Sequence, residues 1–195
     1  MKISQRLIIT IVVLSIAFIV VLQRDRKNNL PDGKITETQP IDIAEISPEP
    51  ISGHPQVEFS TSKGKFIIEL RPDLAPESTV NFLNKWAVDY CDNTTFHRVE
   101  DWVVQGCDPE GNGLGGKNTL PTESSTESFL TGSVGAARRP YPKESSNDSQ
   151  FFIVKKDSLF LDGEYTYLGR ITSGMDVINK LAAGDVILST TVLTK

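Results

Sequence analysis

The chain has 195 residues, a formal net charge of −5, two cysteines and two histidines. Mild acidity argues against nucleic-acid binding, which requires a basic face, and so few cysteines and histidines exclude a Cys/His metal cluster. No metal or other cofactor is expected, and the length suits one medium domain plus additional segments.

Residues 1–23 open with a short basic head, Lys2 and Arg6. Leu7 to Leu22 is then apolar apart from Thr10 and Ser15. As a helix, residues 7–22 would span roughly 24 Å, short of a ~30 Å hydrocarbon core but workable with snorkelling flanks. A cleaved signal peptide is the alternative. The apolar run is longer than a usual signal core and ends in Val20-Val21-Leu22-Gln23 rather than a small-x-small site, so an uncleaved single-pass anchor is favoured. The flanking basic residues nearly balance and do not set orientation. An extracytoplasmic domain is expected because such a segment acts as an export signal by default. Cleavage would instead give a secreted protein.

Residues 24–55 read as a flexible, acidic, proline-rich linker. Pro31, Pro40, Pro48, Pro50 and Pro55 punctuate it, and neither helical nor alternating apolar periodicity is present. A coil of this length reaches very roughly 30 Å. Scattered isoleucines leave open the other reading, an arm docked on the domain.

The folded domain is expected over 56–195. Val57 to Ser60 and Phe66 to Leu70 alternate as strands around Ser62-Lys63-Gly64. Pro76 opens a helix whose apolar stripe is Val80, Leu83 and Ala87, with Phe82, Trp86 and Tyr90 beside it. Thr95–Val99 and Trp102–Gln105 form a hairpin around Glu100-Asp101. Further strands are expected at 132–137, 151–154, 165–171 and 186–194. A second helix, capped by Ser173, is expected over 175–183 and stops at Gly184. Many short strands with turns between them favour a barrel or sandwich.

Gly111-Asn112-Gly113-Leu114-Gly115-Gly116 contains G-x-G-x-x-G, but Lys117 to Pro121 reads as loop where a dinucleotide fingerprint needs a helix. No G-x-S-x-G elbow exists. His97 reads as a packed histidine, because it and Arg98 point to opposite faces of a strand. Cys91 and Cys107 flank the hairpin, and the sequence leaves their pairing open. Asn93-Thr94-Thr95 and Asn147-Asp148-Ser149 match the glycosylation triplet, which matters only on a eukaryotic secretory route. Arg98 and Gln105 stand in apolar strands, where such groups are either paired or left facing a ligand.

Phe96-His97-Arg98, Gln105-Gly106-x-Asp108, Ser149-Gln150-Phe151-Phe152-Ile153 and Leu161-Asp162-Gly163 fall in the order and spacing of the cyclophilins, and residues 56–194 resemble that family of peptidyl-prolyl isomerases. The resemblance implies a mainly β fold: a closed eight-stranded antiparallel barrel with a helix at each end and a site on its outer wall. It implies catalytic Arg98, Gln105 and Phe152. The implied substrate site adds Trp102, Val103, Ala137, Arg138, Gln150, Phe160, Leu161 and Tyr165. The implied partners are proline-containing peptides and unfolded or exported proteins, met by a monomer.

The chain departs from the best-known members in several places. Its hairpin turn is one residue shorter. Trp102 stands for Phe, Val103 for Met, Arg138 for Asn and Tyr165 for His. Phe160 replaces the Trp of strongly cyclosporin-sensitive members, so weaker cyclosporin binding is expected. The competing reading is a proline-binding or chaperone module in which Trp102 has spoiled turnover. An unrelated barrel with an interior ligand conflicts with the inward apolar pattern.

Overall fold

In the computed structural model, residue 51 and residues 53–193 are described. The apolar segment 7–22 and nearly all of the expected linker lie outside the described residues. Strand β1 (Gln56–Thr61) pairs with β2 (Gly64–Leu70) as the hairpin that the alternation predicts, with Val57 opposite Ile68 and Phe59 opposite Phe66. Those four side chains and Leu70 are fully buried.

Helix α1 (Pro76–Ala87) begins at the expected proline, but its buried residues are Ser78, Thr79, Phe82 and Trp86. Of the expected stripe, Leu83 packs half-buried against the core and Ala87 is exposed, so the deepest side is that of Phe82 and Trp86, the residues beside the stripe. The two largest side chains, one turn apart, decide which side turns inward. Trp86 packs edge-on against Phe59 (5.0 Å) and Phe151 (5.4 Å). The helix also lacks a local cap. Its first N–H groups, those of Glu77 and Ser78, donate to the Glu123 carboxylate at 3.0 and 2.9 Å, which satisfies orphan donors at the positive end of the helix dipole.

The remaining strands are β3 (Arg98–Val99), β4 (Val103–Gly106), β5 (Asn118–Pro121), β6 (Ser133–Ala136), β7 (Ser145–Asn147), β8 (Phe151–Val154), β9 (Tyr167–Ser173) and β10 (Ile187–Leu193). Among the described residues, eight of the ten strands form one antiparallel sheet in the order β10-β1-β2-β9-β6-β8-β4-β3. It curls into a half-barrel, and the expected closed ladder is not formed between β3 and β10. There, an isolated Thr95–Val186 bridge and a few backbone bonds join the two edges, among them Phe96 N–H to Asp185 O at 2.9 Å. These contacts all lie ahead of β3, which is only two residues long and pairs with β4 alone.

Two other expectations change. Asn118–Pro121, read as loop, is β5, paired with β7 in a two-stranded sheet. Helix α2 covers only Met175–Ile178, and its cap is Gly174 at φ 87°, not Ser173, which ends β9. Beyond Ile178 the bonds shorten to three-residue turns, Lys180 N–H to Val177 O and Leu181 N–H to Ile178 O. The Asp185 carboxylate then takes the Ala182 N–H at 2.7 Å. The two helices pack against β10 and β2 respectively.

Cys91, after α1, and Cys107, after β4, form a disulfide with Cα atoms 4.9 Å apart, and both residues are fully buried. It closes a separation of 16 residues, worth about 3 kcal/mol in the loop-entropy account. Replacing both cysteines by alanine is therefore expected to lower the unfolding free energy by about 3 kcal/mol, measured by denaturant titration. An unchanged midpoint would show that the core alone holds α1 to β4.

Candidate active site

Alternation sorts β4 and β8 between two cores. Val104, Phe151 and Ile153 enter the main core, with Phe59, Phe66 and Trp86. Val103, Phe152 and Val154 face the other way, into a smaller cluster with Phe129, Leu161 and Tyr167. Register then lines up one row across that outer face. Arg98 pairs with Gln105, Gln105 with Phe152, Phe152 with Gly135, and Gly135 with Tyr167. Directly opposite residues on neighbouring strands share a face and sit one strand spacing apart. The row therefore runs from a cation through an amide to an aromatic floor.

A small open cavity of about 60 Å³ lies over this row. Nine of the expected residues line it: Arg98, Gln105 and Phe152 with Trp102, Val103, Ala137, Arg138, Leu161 and Tyr165. Gln150 lies in an adjoining cavity that shares Gln105, Ala137 and Arg138. Phe160 is 68% exposed and stands outside the cavity, edge-on to Trp102 at 5.3 Å.

At the polar end, the Arg98 Nη1 points at Gln105 Oε1 (3.4 Å). Gln105 Nε2 donates to Gln150 Oε1 at 2.8 Å, and Gln150 Nε2 donates to the Gly115 carbonyl at 2.7 Å. The Asn147 amide donates to that same carbonyl at 3.1 Å. The glycine-rich loop thus ends a relay of amides that fixes Gln105. Asp108 shapes the loop by accepting the N–H groups of Glu110 and Gly113. His97 is half-buried beneath it, and neither ring nitrogen has a partner among the described residues. Burial pushes its pKa down, so the imidazole stays neutral.

At the apolar end, Phe152 stacks on Phe129 (5.6 Å) and meets the edge of Tyr165 (5.6 Å). Gly135 permits this. A Cβ there would come within 2.8 Å of Phe152 Cε1 and 2.9 Å of Phe129 Cε1. Gly135→Ala is expected to cost about 1–3 kcal/mol by overpacking and to raise KM by displacing the floor. Denaturation and peptide kinetics on the same sample measure both, and unaltered kinetics would show that the floor absorbs the methyl group.

The Arg138 side chain, in contrast, belongs to the wall. It is only 5% exposed, stacks over Tyr165 (4.3 Å) and donates from Nε to the Glu164 carbonyl at 3.0 Å. Lys143, and then Arg138, hold the Glu164 carboxyl below its usual range. Both main-chain groups of Ala137 are engaged, its N–H with Gln150 O and its carbonyl with Asn147 N–H, so the peptide unit of Arg138 is what remains for a bound main chain. Among the described residues no cluster of His, Cys, Asp or Glu is placed to hold a metal ion.

Phe129 and Glu100 belong to the site without standing out in the sequence. Phe129 follows no periodic run. Glu100 reads only as turn in the sequence, although it lies two residues from Arg98 and so on the same face of an extended chain. Its carboxylate accepts from Arg98 Nε at 2.6 Å and from the Trp102 indole N–H at 2.9 Å. Trp102 consequently stands at the rim of the cavity, and the Arg98 guanidinium lies 5.4 Å from its ring.

Residues 56–194 match the family described as cyclophilin type peptidyl-prolyl cis-trans isomerase/CLD. The chain is 36% identical over 143 residues to peptidyl-prolyl cis-trans isomerase CYP18-2 of Arabidopsis thaliana, covering 71% of this chain and 87% of that one. It is 37% identical over 135 residues to a probable peptidyl-prolyl cis-trans isomerase of Brucella suis, covering 62% of this chain and 68% of that one. A crystal structure of a Cryptosporidium parvum cyclophilin-type isomerase superposes with a TM-score of 0.68 at 26% identity, over 73% of this chain and 99% of that one. A second crystal structure of that protein, in the presence of the dipeptide Ala-Pro, gives 0.66.

Proposed function

Since this chain belongs to the cyclophilin-type peptidyl-prolyl cis-trans isomerases, we propose that it accelerates rotation about Xaa-Pro bonds in protein substrates through Arg98. The peptide C–N bond resists rotation by ~18–20 kcal/mol because the nitrogen lone pair is delocalised into the carbonyl. Xaa-Pro bonds populate both isomers yet exchange over tens to hundreds of seconds. Catalysis here needs neither nucleophile nor metal. It needs a donor that binds the twisted amide more strongly than the planar one, because twisting frees the nitrogen lone pair to accept a hydrogen bond.

The observation that carries this reading is the cross-strand row: a guanidinium two strands away from a buried aromatic floor, with Gln105 between them. In that row Phe152, with Leu161 and Val103, holds the proline ring, and Trp102 and Tyr165 form its rim. Gln105 holds the carbonyl side of the substrate, and Arg98 donates to the prolyl nitrogen. Gln150 and the Arg138 main chain, next to Ala137, hold the residues before proline. The test is cis/trans exchange of a short Xaa-Pro peptide by NMR with the full chain in mild detergent. Acceleration is expected; its absence would leave only a proline-binding module.

We further propose that residues 1–23 anchor the protein as a single-pass segment, 24–55 hold it off the bilayer, and 56–195 act on exported or unfolded chains as an extracytoplasmic monomer. The apolar run 7–22 and the five linker prolines support this. Among the described residues no helix is long and apolar enough to cross a membrane. Membrane fractionation with protease accessibility tests it, and a soluble mature protein would mean cleavage and secretion instead. Weak cyclosporin binding is proposed from Phe160, whose exposed ring offers no indole N–H.

A further inference from the structure

We propose that Glu100 is a positioning residue of this site, its two carboxylate oxygens setting the Arg98 guanidinium and the Trp102 indole as one unit. The inference rests on the role given to Arg98 above. Glu100 Oε1 takes the Arg98 Nε–H at 2.6 Å, and Oε2 takes the Trp102 indole N–H at 2.9 Å. The turn brings them together: the Glu100 N–H donates to Val103 O at 2.8 Å, so the chain reverses between Glu100 and Val103. Trp102 returns on the far side of the turn to meet the same carboxylate.

The plain alternative is a surface ion pair. The Arg98 and Glu100 side chains are 42% and 45% exposed, and such pairs contribute little to stability. Two features argue for more. Both oxygens are used, each on a different residue that lines the cavity, which a simple ion pair does not require. The bond to Arg98 is also made through Nε. In a planar guanidinium that contact fixes the orientation of the fork, and Nη1 and Nη2 are left on the outer edge. Nη1 already points to Gln105 at 3.4 Å, the residue between Arg98 and the floor. An arginine held this way loses little further rotamer freedom when the donor meets the twisting bond, which is the condition for efficient electrostatic stabilisation. Arg98, ahead of Trp102, also keeps the Glu100 carboxyl below its usual range, so the clamp is charged at neutral pH.

Glu100→Gln turns one of the two acceptor oxygens into an NH2 donor, so the arrangement of one oxygen per partner cannot form. It is expected to lower kcat for an uncharged Xaa-Pro peptide about tenfold with a smaller change in KM. Its melting midpoint should stay close to that of the parent chain, and the Arg98 Nε–H resonance should shift. The double variant with Arg98→Ala should be no slower than Arg98→Ala alone, because a residue acting through Arg98 has nothing left to position. If Arg98→Ala is inactive while Glu100→Gln is fully active, or if the two losses multiply, Glu100 does not act through Arg98 and this inference alone falls. If Arg98→Ala retains full activity, the role of Arg98 falls, and the inference with it.

Discussion

Arg98→Ala is expected to lower kcat/KM for Xaa-Pro peptides by about 100- to 1,000-fold, the usual cost of removing one preorganised donor to a transition state, or about 2.7–4 kcal/mol. In the mechanism proposed, the loss falls on kcat, since the guanidinium would gain its hydrogen bond only as the prolyl nitrogen leaves planarity. Stability should hardly move: the side chain is 42% exposed, and its ion-pair partner Glu100 is 45% exposed. Arg98→Lys separates charge from geometry. It keeps the cation but loses the planar fork that reaches Glu100 and Gln105 at once, so most of the activity should be lost with it. The measurement is NMR exchange at saturating peptide. Full activity in Arg98→Lys would mean that positive charge suffices, and full activity in Arg98→Ala would remove Arg98 from the mechanism.

The sequence made local periodicity legible and long-range register much less so. Val57/Phe59 against Phe66/Ile68/Leu70 is a period-two signal that needs no partner to be read, and that hairpin forms as expected. Helix α1 was legible as a helix with Phe82 and Trp86 beside its apolar stripe, but not that these two would point deepest, because Trp86 answers to Phe59 and Phe151, which come from other strands. Strands β5 and β7 are short and largely polar, so their pairing leaves no alternation to detect. The glutamate that caps α1 comes from 46 residues downstream, out of reach of any local capping rule. The open edge between β3 and β10 is equally hidden, because the contacts that join the two edges are an isolated bridge and a few backbone bonds ahead of β3.

The site divides in the same way. Arg98 and Gln105 stood out as polar groups in apolar strands, a cost that invites a reason. Their alignment with Phe152 and Gly135 depends on strand register, which periodicity does not supply. The membership of the floor was therefore legible only through resemblance. Glu100 was hidden by its position in the turn, where a charged residue ordinarily reads as solvated surface. The alternation Arg98-x-Glu100 was the available signal.

Phe152→Ala is expected to damage fold and activity by separable amounts. The side chain is 5% exposed, stacked on Phe129 and edge-on to Tyr165, so its removal should cost about 3–5 kcal/mol. The low end applies, because the space left opens into the cavity above it and water can fill it. For the substrate, the proline ring loses the surface under its three methylenes, worth roughly 0.8 kcal/mol each if fully buried. Only part of that burial is against Phe152, so a rise in KM of about tenfold is expected. Phe152→Leu distinguishes the two effects. Leucine refills much of the volume between Phe129 and Gly135 but presents no flat face to the ring. Stability should recover most of the way while KM stays raised. If KM recovers in step with stability, Phe152 is a core residue that happens to underlie the cavity, and the floor must be assigned to Leu161 and Val103. If Phe152→Ala leaves KM unchanged at a temperature where it is folded, the proline ring does not bind over the row at all, and the register that places Arg98 two strands from an aromatic loses its functional meaning.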